Sequence, residues 1–307
     1  MGALMDLLIG FATILVVIAA GAGLAHAGVL DRRSQRTLGE IAFFVASPAL
    51  MVVTISQVHL EAAARNLVAS SVSLAVCFAA YVVLARLRWR LPTGPLLIGA
   101  LSSSYVNAGN LGIAMAAYVV GDITVVVPTL LVQMMVVQPL ALVVLDRITG
   151  RGEGVGPALR RLVTNPLTVA AVVGVVLALT GWRLPRIVED PLQMMAGAAI
   201  PLMLMSYGAA LRLSPPLGRA GHNGEVLLAS LLKLAVMPVV AWLVGLALGL
   251  DDRVLLGVVI TAALPTAQNI FLHATRYRVG EDVSRETILI TTLASLPVAL
   301  LVAVLLG

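Results

Sequence analysis

The sequence predicts an all-α integral membrane protein. Of its residues 60% are hydrophobic and only 11% are charged, and the mean hydropathy is +1.03, whereas a soluble domain carries about 25% charged residues. The apolar residues form runs of roughly 17 to 25, the length of a helix that crosses ~30 Å of hydrocarbon. Because lipid offers no hydrogen-bond partner to an unpaired backbone, and because these runs lack the alternation of barrel strands, they must be helices.

The apolar runs predict ten membrane spans. These lie approximately at 5–25, 38–56, 66–85, 95–119, 123–145, 163–181, 190–211, 225–249, 254–275 and 285–306. Fifteen of the 20 Lys and Arg residues fall in or beside the odd-numbered connections, four fall in the even-numbered ones, and Lys233 lies within a span. The positive-inside rule makes the odd-numbered connections cytoplasmic. It therefore predicts a multi-pass protein of the cell inner (plasma) membrane, with both termini outside the cytoplasm.

The second half of the chain repeats features of the first. Three pairs recur in order at offsets of 153, 158 and 158 residues: Pro48 and Pro201, Pro139 and Pro297, and Gly99 and Gly257. They predict a first five-helix repeat over 1–145, a short basic cytoplasmic connector over 146–162 and a second repeat over 163–307. Five spans is an odd number, so the second repeat is inverted. Inverted repeats are typical of secondary transporters, which bind substrate where broken helices meet near the midplane.

Two polar stretches interrupt the apolar spans. SSSYVNAGN at 102–110 lies in span 4, and ITAALPTAQN lies about one repeat later in span 9. Proline removes a backbone hydrogen bond, and Asn, Ser and Gly weaken a helix. A helix broken at the midplane exposes free amides at a positive dipole end, which suits a carboxylate. We therefore predict a substrate site formed by Ser104, Tyr105, Asn107, Asn110, Pro265, Thr266, Gln268 and Asn269; alternatively, these side chains bond neighbouring helices.

Two ionisable residues fall in or near the same region. Lys233 is the only charged residue well inside a span, which favours a role in anion attraction or coupling, with packing or snorkelling as the alternative. His273 could couple protons or lie at the water interface. No Asp or Glu occupies a span centre and Cys77 is the sole cysteine, so neither a metal site nor a cofactor is predicted. Nucleotide-binding and hydrolase motifs are missing from the sequence, and its basic residues lie in short loops, so neither an enzyme nor a nucleic-acid partner is predicted.

Three segments resemble the auxin efflux carrier family of permeases: SSSYVNAGNLGIAM at 102–115, TNPLTVAAVVGVVLALTGWRLP at 164–185 and ALPTAQNIFLHATRY at 263–277. The resemblance implies a fold similar to that of the bile acid/sodium symporters, usually dimeric. In it, spans 1, 2, 6 and 7 form a scaffold, and spans 3–5 and 8–10 form a moving transport domain in which broken spans 4 and 9 cross at the substrate. Asn107 and Pro265 match the asparagine and proline of that crossing. The sequence departs from the plant pattern at Val106, where plant members have proline, and in its short connector.

The resemblance and the residues together predict a secondary active transporter, a permease or efflux carrier. Its expected substrates are small organic anions such as malate, malonate or auxin-like carboxylates, carried by elevator-type alternating access. Proton and sodium are the candidate coupling ions, and a homodimer is expected. The alternatives are a passive anion channel, which would show non-saturating currents, and a membrane sensor, which would bind ligand without moving it.

Overall fold

The computed structural model describes residues 2–56, 60–150, 156, 160, 164–213 and 221–306. Over these residues the chain is helical, with no β-strand beyond one isolated bridge, which confirms the all-α prediction. Most of the connector predicted at 146–162 lies outside the described residues. Twelve helices can be given bounds within the described residues: α1 (Gly2–His26), α2 (Arg32–Ile55), α3 (Leu60–Trp89), α4 (Thr93–Ser102), α5 (108–120), α6 (Ile123–Ile148), α7 (Pro166–Thr180), α8 (Arg186–Leu213), α9 (Asn223–Ala247), α10 (Asp252–Ala263), α11 (Asn269–Tyr277) and α12 (Glu281–Leu306).

Six of these helices are long and apolar enough to cross a membrane: α2, α3, α6, α8, α9 and α12. Shorter apolar helices lie at Phe11–His26, Thr93–Ser102 and Pro166–Thr180. The chain is therefore a multi-pass membrane protein. Where single spans are predicted at 95–119 and 254–275, the structure has two pairs of short helices, α4 with α5 and α10 with α11. These two interruptions coincide with the polar stretches in which the substrate site is predicted.

Several long helices widen into a π-helical turn just before a proline. The turns are Ala42–Ala46 before Pro48, Gln133–Val137 before Pro139, and Leu232–Val236 before Pro238. Proline has no N–H to donate to the preceding turn, so the helix adjusts its hydrogen bonding there. Two of the turns direct a polar side chain into the interior, since Gln133 is 1% exposed and Lys233 is fully buried.

Helices α1 and α8 approach each other through glycine. A Cβ atom added to Gly208 would lie 1.9 Å from the backbone oxygen of Ile18, and one added to Gly21 would lie 2.1 Å from that of Met205. No side chain fits at either position. Because lipid removes the hydrophobic drive between helices, small residues that permit close backbone approach are the usual basis of such packing.

This contact predicts that Gly208→Ala destabilises the protein. The added methyl group forces α1 away from α8, at a cost of about 1–3 kcal/mol in the free energy of unfolding. Gly197→Ala, on the same helix but with open space around it, is the matched control and should leave stability unchanged or slightly higher. Thermal unfolding of the two purified variants in detergent tests this, and equal midpoints would rule out the close approach of α1 and α8.

Candidate functional site

The interruptions between α4 and α5 and between α10 and α11 lie against each other. We call their residues, 103–107 and 264–268, the crossover. Val106 and Thr266 form an antiparallel β-bridge. The backbone N–H of Asn107 donates to the carbonyl of Pro265 at 2.9 Å, and that of Ala267 donates to the carbonyl of Tyr105 at 3.1 Å. The two extended segments therefore pair as a miniature antiparallel sheet inside a helical membrane protein.

Pro265 and two serines end the helices that lead into the crossover. The residue before a proline is driven out of the helical region, and Leu264 has φ −63° and ψ 157°, so α10 ends at Ala263. Just after α4, the hydroxyl groups of Ser103 and Ser104 each donate to the carbonyl of Ala100 at 2.8 Å. This backbone oxygen in the last turn of α4 is thereby satisfied by side chains instead of by a continuing helix.

Gln133 of α6 completes the backbone pairing on the other side of Val106. Its side-chain oxygen accepts the N–H of Val106, and its Nε2 donates to the carbonyl of the same residue at 3.0 Å. One primary amide thus supplies both bonds that a neighbouring strand would supply. On the second segment, the hydroxyl of Thr291 in α12 accepts the N–H of Thr266 at 3.1 Å. Side chains of α6 and α12 thereby satisfy three further buried peptide groups of the crossover. This matters because lipid offers no partner to them.

A second glutamine of α6 connects both arms of the crossover. The side-chain oxygen of Gln138 accepts from the Tyr105 hydroxyl at 3.1 Å and from Nδ2 of Asn269 at 3.4 Å. Sequence reasoning missed Gln133, Gln138 and Thr291. A usable signal existed for the two glutamines, because they are the only amide side chains in α6.

Three of the predicted site residues use their polar groups within the protein. Ser104 caps α4, the Tyr105 hydroxyl donates to Gln138, and the Thr266 hydroxyl donates to the carbonyl of Ser102 at 2.5 Å. All three are buried. These bonds agree with the alternative interpretation, in which polar side chains hold neighbouring segments together.

The asparagines at the crossover differ from those three residues. Nδ2 of Asn107 and Oδ1 of Asn269 are buried, and neither has a hydrogen-bond partner among the described residues. Asn107 is 3% exposed, while Gln268 and Asn269 are half-buried at the start of α11. Asn110 lies in the first turn of α5, but its side chain lies outside the described residues. A buried polar group without a partner costs about 1–3 kcal/mol, so these amides are suited to an incoming polar ligand.

The dipoles at the crossover favour an anion on one side and a cation on the other. Helices α5 and α11 begin there, so their first-turn N–H groups carry partial positive charge. Helices α4 and α10 end there with partial negative charge. On that side, Nζ of Lys233 donates to the carbonyl of Ala262 at 2.6 Å and contacts Sδ of Met237 at 3.3 Å. Lys233 is fully buried, so its side chain points inward and does not snorkel. His273 lies in α11, one turn beyond Asn269, and is half-buried.

Comparison with known proteins agrees with this architecture. Residues 155–303 match the family model described as "Membrane transport protein". Over 263 residues, the chain is 27% identical to the "Putative malonate transporter" of Rhizobium meliloti (strain 1021), covering 82% of this chain and 81% of that protein. Over 152 residues, it is 26% identical to "Auxin efflux carrier component 4" and 27% identical to "Auxin efflux carrier component 7" of Arabidopsis thaliana. These two matches cover 48% of this chain and 24% of each plant protein.

The helical fold with its membrane-spanning helices defines an integral membrane protein, and the matches show its similarity to membrane transport proteins. Its second half resembles the membrane transport protein family, and the chain is similar to auxin efflux carriers of plants and to a bacterial protein named as a malonate transporter. It spans about a quarter of the length of the Arabidopsis carriers it matches.

The pairing at Val106 predicts that Gln133→Leu destabilises the fold. Leucine fills a similar volume but leaves the N–H and carbonyl of Val106 unpaired, at a cost of about 1–3 kcal/mol for each group. Gln133→Glu keeps the volume, and burial favours its protonated form, which retains one acceptor and one donor. Its effect should therefore be smaller than that of Gln133→Leu. Gln193→Leu, at an exposed position of α8, makes the same chemical change as a control. The thermal midpoints of the three variants in detergent test this prediction. If Gln133→Leu were as stable as Gln193→Leu, the pairing of Gln133 with Val106 would not stabilise the fold.

Proposed function

We propose that the protein is a secondary active transporter that binds the carboxylate of a small organic anion at the crossover. The single observation that carries the proposal is Nδ2 of Asn107, a buried donor without a partner at the point where α5 begins. An acceptor-only ligand such as a carboxylate satisfies this donor. The relatives named as malonate and auxin carriers support the same substrate class.

The proposed site uses partial charges to hold the anion. One carboxylate oxygen accepts from Asn107, and the first-turn N–H groups of α5 and α11 surround the other. Asn110, Gln268 and Asn269 supply further amide groups, and Pro265 keeps α10 from continuing into the site. Ser104, Tyr105 and Thr266 support the segments that carry these groups.

Among organic anions, small dicarboxylates such as malonate are favoured over auxin. The relative named for malonate is matched over 81% of its length, whereas each Arabidopsis auxin carrier is matched over 24%. This chain also has Val106 where the plant pattern has proline, which likewise favours a substrate other than auxin. We accordingly expect malonate and malate to compete better for the site than indole-type carboxylates.

The architecture we propose has ten spans in two inverted repeats, 1–145 and 163–307. Its support is the equivalence of the two interruptions, since each repeat contributes one extended segment to the bridge between Val106 and Thr266. Helices α1, α2, α7 and α8 pack on one another and form the proposed scaffold. The crossover helices move against this scaffold in an elevator-type cycle of alternating access.

The remaining features of the proposal come from resemblance and charge. The family resemblance supports a homodimer, and the distribution of Lys and Arg supports an inner-membrane protein with both termini outside the cytoplasm. Proton or sodium coupling would involve His273 or the amide groups of the crossover. The alternatives, a passive anion channel and a sensor on the same fold, are outcomes of the transport experiment below.

The proposal predicts that Asn107→Ala strongly impairs transport while the protein still folds. Losing the donor to a charged acceptor should lower uptake of labelled malonate into proteoliposomes by about tenfold or more. Asn107→Asp should be at least as inactive, because it places a second carboxylate beside the substrate. Asn223→Ala, at an exposed position, is the control and should transport normally.

Three results would contradict the proposal. Wild-type rates of saturable uptake by Asn107→Ala would remove the crossover as the binding site. Flux that does not saturate with substrate and follows the membrane potential would identify a channel. Saturable binding of malonate without flux would identify a sensor.

A further inference from the structure

Lys233 lies where the α10 helix ends. It belongs to the π-helical turn Leu232–Val236 of α9, and its Nζ donates to the carbonyl of Ala262 at 2.6 Å. Ala262 is the second-last residue of α10. The final carbonyls of a helix lack intrahelical partners and carry the negative end of its dipole. The ammonium group therefore stands where a cation is stabilised by the interrupted helix.

The buried ammonium has no acidic partner in the described part of the chain. The ion pairs among those residues join other side chains, and none includes Lys233. Its contacts are a carbonyl oxygen and the thioether of Met237. A charge buried at membrane depth is costly unless an opposite charge or several dipoles balance it. The helix end supplies part of that balance, and an anion at the crossover would supply the rest.

The surroundings of Lys233 connect it directly to the crossover. Met237 and Ala262, the two residues that Nζ of Lys233 contacts, line a narrow crevice together with Val106 of the crossover. Lys233 is therefore one residue layer from the paired segments. Its ammonium group is covalently attached and cannot leave as a free ion does.

We propose that Lys233 is the resident cation of the binding site, so that the anion binds and is transported without an inorganic coupling cation. This inference rests on the proposed function, because it assigns the cation requirement of that same site. The fixed ammonium takes the position at the end of α10 that a sodium ion would otherwise take. It attracts the carboxylate from one side of the crossover while the amides of α5 and α11 bind it from the other.

Ion substitution in the wild-type protein is the first test. Malonate uptake into proteoliposomes is measured in sodium, potassium and choline buffers at constant pH and membrane potential. The expected result is the same KM and the same maximal rate in all three. A requirement for sodium or potassium overturns the inference, and this measurement does not depend on the folding of any variant.

Variants of Lys233 separate charge from hydrogen bonding. Lys233→Met removes the charge with little change of volume, and Lys233→Gln keeps a donor for the Ala262 carbonyl. Both should raise the KM for malonate about tenfold or more in choline buffer, since each leaves the anion without its buried counter-charge. Leu231→Met, at a 53% exposed position of the same helix, is the control. A wild-type KM in Lys233→Met, or its restoration in Lys233→Gln, overturns the charge assignment.

A measurement without substrate distinguishes failure of this inference from failure of the proposed function. The thermal midpoint of Lys233→Ala is compared in choline, sodium, potassium and n-propylammonium buffers, with the wild type alongside. The vacated position should accept a cation, so the variant should be stabilised by at least one of these ions and the wild type by none. A variant that responds to no cation overturns the resident-cation assignment. If the wild type transports no carboxylate, the proposed function fails while this result stands independently.

Discussion

The hydrogen bonds between residues 103–107 and 264–268 are the constraint on which the rest of the structure depends. Two extended segments cross inside a helical membrane protein, where water is not available to satisfy exposed peptide groups. Each segment therefore pairs with the other, through Asn107 with Pro265 and Tyr105 with Ala267. Gln133 and Thr291 satisfy the outward-facing groups. Without all of these partners, the interruptions would be energetically unfavourable and each chain segment would gain by continuing as a helix.

The surrounding helices are adapted to supply those partners at the right depth. A regular α-helix advances its side chains by a fixed angle, whereas a π-helical turn shifts the side chains that follow it relative to those before it. Gln133 and Lys233 both lie in π-helical turns that precede a proline, Pro139 and Pro238 respectively. One reaches the backbone of Val106 and the other reaches the carbonyl of Ala262. The prolines thus act at two levels, by removing a donor locally and by placing a polar side chain against the crossover.

Sequence alone predicted the helical class and the location of the two interruptions, but not the bonds that stabilise them. The length of an apolar run depends only on local composition, and Pro265 affects only its neighbours in the chain. Both features can therefore be predicted from the local sequence. The partner of Val106 is different, because Gln133 is 27 residues away and its direction depends on a π-helical turn. For the same reason Lys233 was identified as a buried charge, while its acceptor, the carbonyl of Ala262, could not be identified. Ser104 and Thr266 were predicted to face substrate, yet their hydroxyls bond backbone carbonyls, a choice that depends on the distance between segments.

The distribution of satisfied and unsatisfied groups separates support from binding at the crossover. The crossover hydroxyls donate within the protein, whereas two asparagine side-chain atoms, Nδ2 of Asn107 and Oδ1 of Asn269 at the start of α11, lack a partner among the described residues. This division follows from the energetics. A backbone group left unpaired would destabilise the segment in every state, whereas a side-chain amide that a ligand can pair is unpaired only in the unliganded protein, at a cost of about 1–3 kcal/mol. An anion that bonds to Asn107 returns that cost on binding, so part of its affinity comes from strain already present in the empty protein. Because that cost is only about 1–3 kcal/mol, it adds modestly to the affinity of the proposed anion. A modest affinity is what alternating access requires, since the proposed substrate must leave the site on the other side of the membrane.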